Sequence, residues 1–186
     1  TQNENVRGDN LIECKDTFDS FDCRGIRDCR YCTNMVMGAT DCYDIDIWGD
    51  RASLLYNCEC AGAGANNLIG CYYTGFNADT VYYSAWCTRG VTNLFGCVGL
   101  RKKNYCIFNK QYSPEEYEQL KNRLIEHMKQ TREWGEFFTP DLSLFAYNET
   151  VANLYFPLGE EQALQRGYRW HVEEDKPNYP LKALPQ

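Results

Sequence analysis

The sequence predicts a mainly β chain: a parallel β-solenoid of about four coils of roughly 27 residues, capped and wrapped by C-terminal helices and an aromatic, irregular segment. Three observations predict it. Cysteines recur at a near-constant interval. Short stretches rich in β-branched and aromatic residues alternate with Asn, Asp and Gly. No helical 3-4 spacing persists before residue 113, and a well-signalled helix begins there.

The cysteines carry the first observation. All eleven lie between Cys14 and Cys106. One series runs Cys14, Cys42, Cys71, Cys97, in steps of 28, 29 and 26, within "NLIEC", "GATDC", "NLIGC" and "NLFGC". A second runs Cys32, Cys60, Cys87, in steps of 28 and 27. On a solenoid, equivalent positions stack about 4.8 Å apart. The two series are therefore expected to form structural ladders inside the coil.

The stretches "YDIDIW", "NLIGCYYTGF", "TVYYSAW" and "NYCIF" supply the strands. Residues 1–112 are thus assigned to the solenoid, 113–175 to a helical and aromatic capping segment, and 176–186 to an extended linker. In "YSPEEYEQLKNRLIEHMKQ", Ser113 suits an N-cap, Pro114 the first turn, and Glu116 closes a capping box. Tyr117, Leu120, Leu124 and Met128 then fall on one apolar stripe, expected to pack on the solenoid. Asn148 suits the cap of a short helix reaching Phe156, and Gly159–Arg166 reads as another, with Gly167 just past its end. The extended tail suggests that a longer parent chain continues beyond it.

A resemblance appears across "GCVGLRKKNYCIFNKQYSPEEYEQLKNRLIEHMKQTREWGEFF", "FAYNETVANLYFPL" and "EEQALQRGYRW". The chain resembles an uncharacterised Cys-repeat protein family of ultra-small, candidate-phylum bacteria. Members usually carry cysteine pairs of zinc-ribbon type after the linker, which this sequence lacks. The resemblance implies an architecture and a zinc-binding neighbour, not a reaction.

Three roles stay open for the cysteines: small apolar fillers of a narrow interior, disulfides, or metal ligands. An odd number excludes complete pairing within one chain. The best metal candidates are Cys29 and Cys32, in a CxxC pair, with Cys23; zinc would want a fourth ligand. Odd, laddered cysteines fit a reducing cytoplasm better than secretion.

Other chemistry is sparse. Asp44, Asp46 and Asp50 in "CYDIDIWGD" form the best acidic face, with Ile45 and Ile47 read as turned inward. Arg101, Lys102 and Lys103 form a basic run that could contact phosphate, with Tyr105 or Phe108 stacking beside it. The formal net charge of −7 argues against nucleic-acid binding by this segment. His127 and His171 are the two histidines, and neither sits in a recognisable catalytic pattern. The favoured reading is a non-enzymatic scaffold or interaction module, self-associating or binding proteins through solenoid ends and faces. Alternatives are a nucleic-acid-associated protein acting through a zinc ribbon beyond residue 186, and a β-helical carbohydrate-active enzyme using Asp44 and Asp46.

Overall fold

A computed structural model of the chain describes residues 2–36, 38–47, 49 and 52–172. Among them, nine parallel strands stack in sequence order: β1 (Glu4–Asp9), β2 (Lys15–Phe21), β3 (Arg27–Thr33), β4 (Cys42–Asp46), β5 (Ser53–Glu59), β6 (Asn66–Ile69), β7 (Ala78–Tyr82), β8 (Val91–Phe95) and β9 (Asn104–Ile107). The protein is a parallel β-solenoid, as the sequence predicts. Its coil is half as long as predicted. Thr17 pairs with Cys29, a step of 12, and Leu55 with Leu68, a step of 13. The interval of about 27 spans two coils, not one.

The coil is built from triplets. Leu11, Cys14, Thr17, Ser20, Cys23, Ile26, Cys29, Cys32 and Met35 are all buried, every third residue pointing inward. The residue just before each inward one takes positive φ: Asn10, Glu13, Asp16, Asp19, Asp22, Gly25, Asp28, Tyr31 and Asn34. Asn, Asp and Gly tolerate that conformation best, which explains their density here. Each left-handed turn lets four short faces close within one coil. The backbone groups this exposes are paired with neighbouring coils: Tyr83 N donates to the Ile69 carbonyl at 2.8 Å and Gly96 N to Tyr82 at 3.0 Å. Coils of 13 residues take their extra residue at one corner, where Gly64, Asn77 and Gly90 also have positive φ.

One ladder of parallel strands, with isolated parallel bridges elsewhere around the coil, encloses a narrow core of small and medium side chains. One inward column runs Thr17, Cys29, Cys42, Leu55, Leu68, Val81, Leu94, Cys106. The solenoid's last edge is blocked by β10 (Lys110–Gln111), antiparallel to β9. Then comes α1 (Pro114–Thr131). Its capping box forms as the sequence predicts, with Glu116 N donating to Ser113 Oγ at 3.2 Å and Ser113 N to Glu116 Oε2 at 3.0 Å. Tyr117 is fully buried, and Leu120, Leu124 and Met128 pack with it against Tyr83, Phe95 and Ile107.

α1 belongs with the solenoid to one compact unit, Thr1–Phe137; a second unit begins at Phe138. The second holds two 3₁₀ turns, Pro140–Leu142 and Tyr147–Glu149, and two short helices, α2 (Ala152–Tyr155) and α3 (Glu160–Gln165). Asn148 does not cap a helix there. Its side chain bridges to His171, accepting from the backbone N at 2.9 Å and donating to the carbonyl at 2.8 Å. Gly159 caps α3 and Gly167 follows it at φ 81°, as expected. The linker at 176–186 lies outside the described residues. Among the described residues no helix is long and apolar enough to cross a membrane.

Candidate functional site

The triplet repeat places one outward column beside the inward Thr17–Cys106 column: Phe18, Arg30, Tyr43, Tyr56, Ile69, Tyr82, Phe95, Ile107. Its two halves meet different fates. Ile69, Tyr82, Phe95 and Ile107 pack under α1 and Trp134. Trp134 sits edge-on to Tyr82 at 5.9 Å and tilted over Tyr83 at 5.8 Å. The Tyr83 hydroxyl accepts from Gly135 N at 2.7 Å, holding the chain after α1 against the face.

The other half is open. Its Tyr43 and Tyr56 are 41% and 38% exposed, and Tyr31, next to Arg30 of the column, is 44% exposed. They interlock, Tyr31 edge-on to Tyr43 at 5.3 Å and Tyr43 stacked on Tyr56 at 5.5 Å. The Arg30 guanidinium lies 5.7 Å from the Phe18 ring and 5.5 Å from the Tyr31 ring, within cation–π range.

Beside these rings lies a groove of about 240 Å³ lined by Tyr31, Asp44, Asp46, Asn57, Glu59 and Phe137, with Ile45 and Cys58 also contributing. Asp46 pairs in register with Glu59 on the next coil, two like charges side by side. Partial burial, and then the Asp46 charge, push the Glu59 carboxyl above its ordinary value. Among the described residues none of these three carboxylates has an ion-pair partner. Asp19, further along the face, is held by Arg7 and Arg30.

Asp44 and Asp46 both line this groove, though not by the alternation of an ordinary strand. They flank inward Ile45 as the outer residues of consecutive triplets. Ile47 is not inward: it takes φ 60° and is 44% exposed. Asp50 lies outside the described residues. Glu59 escaped the sequence reading because its partnership with Asp46 depends on the 13-residue step.

The eleven cysteines are all free, and all but Cys60 are buried. The strand register divides them differently from the expected ladders. Cys14, Cys42, Cys71 and Cys97 do not form one stack. Cys29 and Cys42 are neighbours in one column; Cys32, Cys58, Cys71 and Cys97 belong to another, with Ile45 and Ser84 interposed. Cys60 takes φ 52° and points outward; Cys87 stacks beside Thr74, away from both. The physical reason is the 13-residue step, under which spacings of 26 keep a column and spacings of 28 or 29 change it.

Around the proposed metal pair, Cys29 keeps company with Cys32 and Cys42. The neighbouring Cys32 and Cys42 thiols hold the Cys29 pKa below the usual thiol range, and that contact with burial pushes theirs up, while Cys32 Sγ donates to the Arg30 carbonyl at 3.5 Å and Cys42 Sγ to the Thr40 carbonyl at 3.2 Å. Cys23 sits one face away, and burial pushes its thiol up to about 11. Among the described residues no group of three or more His, Cys, Asp or Glu is arranged to hold a metal ion.

The basic run Arg101, Lys102, Lys103 is exposed on the last coil. Tyr105 is not available beside it, since its ring packs on Tyr117 at 5.7 Å. Phe108 is 67% exposed and lies over Gly96. A comparison with protein-family models found no match, and a comparison with curated proteins found no relative.

Proposed function

We propose that this protein is a non-enzymatic interaction scaffold, a rigid solenoid that binds a protein partner through the open half of its tyrosine column. The observation that carries this is the contrast within one column: the chain covers four positions with its own helix and leaves Tyr43 and Tyr56 about two-fifths exposed, at 41% and 38%. Exposed, interlocked aromatic rings beside a groove are what protein interfaces use as anchors. The solenoid backbone beneath them is hydrogen-bonded on both sides, so binding orders little that is not already ordered.

The test is a photo-cross-linking residue placed at Tyr43 and, separately, at Val36, which is 37% exposed, aligns with Arg24 away from the tyrosine column and does not line the groove. The expected result is one defined adduct from Tyr43 in the source cells, or a dimer of the chain itself, and none from Val36. Identical adducts from both positions, or none from either, would overturn the reading. So would turnover of an acidic polysaccharide that disappears in Asp44→Asn and Asp46→Asn.

A further inference from the structure

We infer that the open half of the tyrosine column receives a basic amphipathic helix, whose apolar stripe lies on Tyr43 and Tyr56 and whose Lys or Arg side chains enter the groove of Asp44, Asp46 and Glu59. This rests on the interaction reading above and names the kind of partner.

Three observations choose that occupant. The first is precedent within the molecule. The covered half of the same column is filled by a helix that lays Leu120, Leu124 and Met128 on it. The open half continues the column at the same strand spacing, with rings in the same outward slots. The second is charge. The groove holds three carboxylates without a described cationic partner, two of them in register on adjacent coils. A cation between Asp46 and Glu59 relieves a repulsion the free protein bears, so binding gains more than one new ion pair supplies. The third is that aromatic rings adjoining Tyr43 already accept a guanidinium: Arg30 lies within 6 Å of both Phe18 and Tyr31, and Tyr31 packs edge-on to Tyr43. An acidic or purely apolar helix satisfies the first observation and fails the other two.

The probe is a synthetic 18-residue leucine–lysine peptide with helical spacing, fluorescently labelled, titrated with the whole chain and read by anisotropy. A leucine–glutamate peptide of the same pattern is the counter-probe. The key variant is Asp44→Asn/Asp46→Asn/Glu59→Gln. Asn is the gentle choice at Asp44, which takes φ 58°. The control removes three charges elsewhere, Asp16→Asn/Asp28→Asn/Asp41→Asn. Those positions also have positive φ, and none lines the groove.

The expected result is binding of the lysine peptide alone, weakened about tenfold or more by the groove variant and less than about twofold by the control. Equal weakening in both variants would reduce the effect to net charge and overturn the inference. So would equal binding of the glutamate peptide, or no binding of either. Should the groove variant lose its fold by circular dichroism, a benzophenone on the lysine peptide decides instead. Adducts at Tyr43 or Tyr56 support the inference, and adducts spread over other faces overturn it. A defined adduct at Tyr43 in cells with no affinity for the lysine peptide would refute the basic helix and leave the scaffold reading standing.

Discussion

Ile69, Tyr82, Phe95 and Ile107 occupy the same outward slots as Phe18, Arg30, Tyr43 and Tyr56, on the same ladder of strands. The backbone does not distinguish them. What does is sequence far away: a capping box at Ser113 starts a helix whose stripe reaches only the last coils. Where the stripe lands, aromatic side chains become core. Where it does not, they remain a surface. In a solenoid, each coil contacts chiefly its neighbours, so one face can change role within a few coils without disturbing the rest.

The largest expected effect tests the covered half. Tyr117 is fully buried beneath α1 and meets the Tyr105 ring at 5.7 Å. Tyr117→Ala is expected to cost about 3–5 kcal/mol, in the range for large aromatic truncations in a core. Tyr43→Ala, in the open half, should cost at most about 1 kcal/mol, because its ring is 41% exposed and its contacts are two neighbouring tyrosines. Urea unfolding of both variants measures the difference. Equal losses would mean that the open half is as much a part of the core as the covered one.

A finer test separates volume from polarity at Tyr117. Its hydroxyl is buried and has no hydrogen-bond partner among the described residues, and burial pushes its pKa up. Removing it leaves the ring packing intact and deletes an uncompensated desolvation. Tyr117→Phe should therefore be neutral or stabilising by about 1 kcal/mol, against the sign usual for core substitutions. A loss of about 1 kcal/mol or more would show that a water or the protein satisfies the hydroxyl in solution.

The covered half was the more legible in the sequence. Ser113, Pro114 and Glu116 state their roles locally, and the Tyr117–Met128 stripe follows directly from helical spacing. The strands were legible too, through their β-branched and aromatic residues. The coil was not. A strand is ordinarily read with period 2, whereas this chain turns every third residue through a left-handed position. From Asp16 to Asp28 that period is written in Asp and Gly. Later slots hold Tyr31, Tyr73, Tyr83 and Trp86, which have no special preference for positive φ, and an extra corner residue shifts the phase. "NNLIGC" and "TNLFGC" look alike because Gly70 and Gly96 fill equivalent slots two coils apart, each under an aromatic ring: a Cβ would lie 2.9 Å from Tyr83 at Gly70 and 2.5 Å from Phe108 at Gly96. The coil between them, with Tyr83 in that slot, hides the true repeat. The groove suffered accordingly: Asp44 and Asp46 were visible as neighbours in sequence, Glu59 only as a neighbour in register.

The smallest effect tests the groove's charge. Partial burial and Asp46 raise the Glu59 pKa in the folded chain. A carboxyl with a raised folded pKa binds more protons folded than unfolded. Its contribution therefore destabilises the fold above the raised value, and the loss is recovered as pH falls through the window between the raised and the ordinary Glu pKa. Glu59→Gln removes that dependence. At neutral pH the variant should melt slightly higher than the wild type, by roughly 1 °C given the screening of a partly exposed group. Below the ordinary Glu pKa the difference should vanish, since both side chains are then neutral. The same difference should shrink at neutral pH when the leucine–lysine peptide is bound, because a cation placed between Asp46 and Glu59 removes the repulsion that Gln relieves. A melting difference that persists unchanged into acid would assign the gain to packing of the amide, and the two carboxylates would no longer count as a charged pair awaiting a partner.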